Sequence, residues 1–61
     1  MEQHGIIESF TEIEDAFHFL DQKVLEYTAA GWEIRNGTGV ERVGVKWRVG
    51  LVMTKGEDKN G

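Results

Sequence analysis

The 61 residues contain no cysteine and no proline. Without cysteine there is no disulfide and no thiolate zinc site. That exclusion matters, because a single core in a chain this short supplies only about 3–5 kcal/mol, and small domains usually add a disulfide, a metal or a second copy. His4 and His18 are the only imidazoles. One lies near the terminus and the other in a helical pattern, with no Asp or Glu at ligand spacing, so neither a metal nor another cofactor is expected. Self-association into a homo-oligomer is the support that remains. The lack of proline fits a chain whose middle is nearly all regular structure. No run of about 18 apolar residues exists, so no membrane span or membrane partner is expected. Met1-Glu2-Gln3-His4 has neither the basic nor the apolar part of a secretion signal, which makes the cytoplasm the expected compartment.

A hydrophobic content of 39%, with two tryptophans and three phenylalanines, points to a folded domain. The charges divide near Gly31. Residues 1–30 carry seven acids against Lys23 alone, a net −6, whereas residues 31–61 carry six bases against four acids, a net +2. Periodicity changes at the same point. Between residues 12 and 30, Ile13, Ala16, Phe17, Leu20, Val24 and Tyr27 fall on one helical stripe about 100° wide, which predicts an amphipathic helix laid on a core. Thr11-Glu12-Ile13-Glu14 has the form of a capping box, with Thr11 as the cap. Gly31 is placed to end the helix in the left-handed conformation.

Strand patterns lie on either side. Ile6, Ile7 and Phe10 suggest a first strand over about residues 4–10. Trp32-Glu33-Ile34-Arg35 alternates like a half-buried strand, and so do Val43, Val45, Trp47, Val49, Leu51 and Met53 within residues 43–54. The intervening turn falls either at Asn36-Gly37 or near Glu41-Arg42, and the later position gives the long last strand a partner of matching length. The expected fold is α+β: one β-α-β-β domain over residues 1–55, a three-stranded antiparallel sheet with one helix packed on one face. Lys55-Gly56-Glu57-Asp58-Lys59-Asn60-Gly61 reads as a polar ending, with residues 56–61 a flexible tail.

Nothing here supports catalysis. Ser9 has no motif around it, His18 projects away from the core stripe, and the glycines at 37, 39, 44 and 50 precede no helix that could complete a phosphate loop. The expected protein is therefore not an enzyme. The candidate binding residues lie on the sheet. Arg35, Lys46 and Arg48 share the parity opposite the core, with Gly44 and Gly50 beside them, and their cations suit an anionic ligand. Trp32 and Trp47 sit at core parity, either beneath the helix or at its edge as stacking platforms. Phe19 lies outside the helical stripe, which marks it as an oligomer contact. The acidic helix disfavours extended nucleic acid as a partner.

The run Ala29-Ala30-Gly31-Trp32-Glu33-Ile34, followed by a glycine-bearing strand and a last strand closing on a basic residue, resembles the family catalogued as domain of unknown function 4177. Those are small β-α-β-β proteins of bacteria and phages. The family's usual aromatic first strand is replaced here by Ile6-Ile7. The resemblance implies the fold, no established activity, and a phage or mobile-element origin, which would place the protein in a host cytoplasm. Joined to the residue pattern, it leads to an expected role as a non-enzymatic oligomeric binding module. Such a protein would sequester a nucleotide used in defence signalling, or another phosphate-bearing small ligand. The alternative is an inhibitor or adaptor that grips an acidic or other host protein surface through its sheet edge or acidic helix.

Overall fold

The structure is a computed structural model and describes residues 1–56. In chain order it comprises β1 (Glu2–Phe10), α1 (Ile13–Ala29), β2 (Glu33–Ile34), β3 (Gly39–Val43) and β4 (Lys46–Lys55). The fold is α+β, with one antiparallel sheet and one helix. β4 is the centre of the sheet: β1 pairs along one side of it, and β2 and β3 follow one another along the other side. The sheet thus has four strands where three were expected.

The extra strand arises from a break in the middle of the chain. Ile34 pairs with Met53 and Gly39 pairs with Gly50, five steps along one strand against three along the other. Two residues are therefore surplus between β2 and β3. Because the surplus is two, side-chain parity survives it, and Ile34 and Val40 both face the helix. Thr38 repairs the ladder. Its hydroxyl accepts from the Val52 N–H at 2.9 Å and donates to the Val52 carbonyl at 3.2 Å, while the Arg35 N–H reaches that carbonyl at 2.8 Å.

The hairpin turn lies later than either expected position. Val43 pairs with Lys46, leaving Gly44-Val45 as a two-residue loop. Gly44 has φ +64°, and a glycine at the first loop position is what such a tight turn demands. The valine alternation runs straight through this turn, which is why the last strand looked longer than it is. Val45 is 80% exposed.

α1 begins one residue later than the capping-box reading implied. Phe10 is still paired with Trp47, so Thr11 is needed to turn the chain. Glu12 becomes the cap residue without any side-chain cap hydrogen bond, and its carbonyl accepts the first helical bond from Ala16. The other end is as expected. Gly31 has φ +97°, its N–H bonds to Thr28, and the Trp32 N–H bonds to Tyr27 at 2.9 Å. This paired closure satisfies two of the helix's last carbonyls.

The core is thin. Val49, Leu51 and Met53 of β4 and Ala16 of α1 are its fully buried apolar residues. Around them stand partly covered aromatic pairs, Phe10 with Phe19 at 5.2 Å and Tyr27 with Trp32 at 5.9 Å. Ala16, not Ile13, is the centre of the buried helical stripe, since its small side chain admits the closest approach to β4. This turns α1 relative to the expected orientation. Phe19, expected outside the stripe, is half-buried with its ring 5.2 Å from that of Phe10; Phe17, expected inside, is 51% exposed. No helix among the described residues is long and apolar enough to cross a membrane. β4 runs to Lys55, and the expected tail lies, apart from Gly56, outside the described residues.

Candidate functional site

β4 sorts its residues between two faces. Trp47, Val49, Leu51 and Met53 point to α1, and Lys46, Arg48, Gly50 and Val52 point away. The register extends both faces across the sheet. On the open side, Ile7 of β1 and Gly39 of β3 both stand opposite Gly50, Gly5 stands opposite Val52, and Ser9 and Glu41 flank Arg48.

The centre of that face is short of side chains. Gly5, Gly39 and Gly50 contribute only backbone, and the segment between β2 and β3 folds over its margin, so that a β-carbon on Gly50 would come within 3.6 Å of the Gly37 carbonyl. The outcome is a shallow trough of about 660 Å³. Ile7 and Val52 form its apolar sides, and the Arg48–Glu41 ion pair closes one end. This volume lies within the usual range of small-ligand sites, roughly 300–1,000 Å³.

The cations expected to form one rim are separated. Arg35 lies alongside Val52, four residues along β4 from Arg48, or about 13 Å. Its Nε donates to the Thr54 hydroxyl at 2.8 Å and its Nη2 meets Glu33 at 3.1 Å. Arg35 is thus a lid over the buried Thr54. Arg48 donates to Glu41, and both are substantially exposed. Lys46, beside the turn, has no ion-pair partner among the described residues and lies outside the trough lining.

The tryptophans are on the other face. Trp47 is half-buried at one end of the core with the Arg42 guanidinium 5.5 Å from its ring centre. Trp32 packs against Tyr27 and His4 at the other end, capped by Lys55 at 5.8 Å. The sheet therefore lies between both rings and the open-face cations, and they do not form one pocket. Of the expected site residues, Arg48 alone lines the trough. Gly5, Ile7, Gly39 and Glu41 were not expected there. Their alternate spacing was visible, but their juxtaposition depends on the pairing register.

Compared with protein-family models, curated proteins and solved structures, the chain matches none.

Proposed function

We propose that the protein is a non-enzymatic binding module whose open-face trough takes a small, flat ligand carrying an anionic group. The observation that carries this reading is the glycine floor, Gly50 between Ile7 and Gly39, bounded at one end by a guanidinium. A floor of backbone lets a planar group lie close to the sheet. Ile7 and Val52 offer it apolar sides. Arg48 supplies a planar, two-point donor for a phosphate or carboxylate. Glu41 pairs with that guanidinium, and an exposed pair of this kind contributes only about 0–1 kcal/mol, so a doubly charged phosphate can compete for it. The arrangement is suited to capture: the Thr38 hydroxyl that lines the trough is occupied by the Val52 backbone, and Glu41 by Arg48.

Titration calorimetry with nucleoside mono- and diphosphates tests the reading. Arg48→Ala should weaken binding about tenfold or more, as expected for a charge-assisted contact of roughly 1.5–3 kcal/mol, and added salt should weaken it further. Gly39→Val should abolish binding while leaving the fold intact, because a β-carbon there meets nothing within 4 Å. Binding unchanged in both variants would place the ligand elsewhere.

A further inference from the structure

The two edges of the sheet differ. The β2–β3 edge is interrupted by the two-residue surplus, and Arg42 covers its far end by donating to the Gly44 carbonyl. Bulges, prolines and charged side chains are the usual devices that keep an edge strand from pairing with another chain. β1 has no bulge, proline or cation, and its only charges are Glu2 and Glu8 on the helix face. It runs nine residues in unbroken register against β4 and contains no lysine, arginine or proline. The rest of the molecule also lacks cover: four apolar residues are buried, whereas Met1, Ile7, Ile13, Phe17, Leu25, Val43, Val45 and Val52 are all substantially exposed.

We infer that β1 is an interface for a second copy of this chain, paired antiparallel about a two-fold axis at Ile6. One register uses all nine residues of β1, and its side chains agree with it. Ile6 stands opposite Ile6 of the partner subunit on the helix face. His4 stands opposite the partner's Glu8, a donor facing a carboxylate, and Glu2 stands opposite the partner's Phe10. On the open face Gln3 faces the partner's Ser9, and Gly5 makes room for the partner's Ile7. Sliding the pairing by one step of matching parity, to centre on Gly5, would set Glu2 against the partner's Glu8 and leave two residues of each strand unpaired. Cross-strand neighbours of opposite or complementary character stabilise a sheet, and like charges directly opposite oppose it.

The consequence is a continuous eight-stranded sheet with both helices on one side and both troughs on the other. Each trough is open along β1 at Ile7. In the pair that side meets the partner's Gly5, so an uninterrupted row runs from Gly39 through Gly50 and Ile7 to Gly5 and Val52 of the partner subunit. The second copy thus continues the open face of the sheet past Ile7. The interface stands whether or not the trough holds a ligand, and the two are read separately below.

Light scattering at micromolar concentration should return about 14 kDa, twice the 6.9 kDa of the chain. Ile7→Lys should give a folded monomer, since Ile7 is 70% exposed and an edge lysine opposes pairing. Because the natural chain has no cysteine, register can be read by oxidation. Gln3→Cys with Ser9→Cys in one chain should form a covalent dimer, whereas either substitution alone should not, since each of these residues faces the other type across the axis. A wild-type mass near 7 kDa overturns the inference. So does a dimer that survives Ile7→Lys and fails to cross-link through the paired cysteines, which would use another surface. Gly39→Val separates the two proposals, because it should remove nucleotide binding and leave the dimer mass unchanged.

Discussion

β4 presents two unlike faces from one stretch of backbone. Toward α1 it offers Trp47, Val49, Leu51 and Met53, of which the last three are almost fully buried. Away from α1 it offers Lys46, Arg48, Gly50 and Val52, and there the sheet carries a trough instead of a second layer. Both sets experience the same hydrogen-bonded ladder, so the ladder is not what distinguishes them. What differs is the size of the side chain and the presence of a covering element. A β-sheet with one helix can bury only one of its faces, and the described residues hold no second helix to cover the other. The open face meets water with charges and glycines but also leaves Ile7 and Val52 exposed.

The sharpest way to break the comparison is to truncate neighbouring residues on opposite faces. Leu51→Ala removes a fully buried side chain and should cost about 2–5 kcal/mol, enough to leave this small domain largely unfolded at room temperature. Val52→Ala should cost about 1 kcal/mol or less, because that side chain is already 40% exposed. Urea unfolding followed by tryptophan fluorescence measures both, and similar midpoints would show that the helix does not select one face.

The same contrast can be sharpened from the helix side. Phe19→Ala removes the ring packed on Phe10 and should cost about 2–3 kcal/mol, less than a fully buried phenylalanine. Phe17→Ala should lower stability by about 1 kcal/mol or less. The reverse order in thermal melts would return α1 to the orientation centred on Ile13.

The smallest effect belongs to the open-face charges. Arg48→Ala, or Glu41→Ala, should shift stability by no more than about 1 kcal/mol, since their pair is exposed to solvent. A double-mutant cycle by chemical denaturation checks this. A coupling well above that value would make the pair a structural clamp and not an available ligand contact.

Much of the architecture was legible from local signals. Gly31 marked the helix end because only a residue without a β-carbon enters φ near +97° at little cost. The alternation from Trp47 to Met53 marked a strand with one buried side, and the helical repeat marked α1. Signals that depend on a partner were read less well. The valines at 43 and 45 fit a strand until the glycine between them is seen to make the turn. The Thr11–Glu14 spacing fits a capping box until pairing of Phe10 with Trp47 uses Thr11 to reverse the chain. Phe19 lies beyond the Ala16 edge of the helical stripe, and it is partly covered because the helix is buried deepest at that edge, at Ala16.

By itself the sequence determined the element types, their order, and the segregation of apolar from charged residues along β4. These follow from backbone sterics and from periods of 3.6 and 2 that act over neighbouring residues. Only the tertiary structure decided the rotation of α1, the split of one strand into β2 and β3, and the meeting of Gly5, Gly39 and Gly50 in one trough. Each of those is a relation between residues far apart in the chain, fixed by which side chains can approach most closely and by which register satisfies the most backbone hydrogen bonds. The separation of Arg35 from Arg48 has the same origin: two surplus residues between Ile34 and Gly39 moved a cation along the sheet, and nothing within its own local sequence records where it would come to rest.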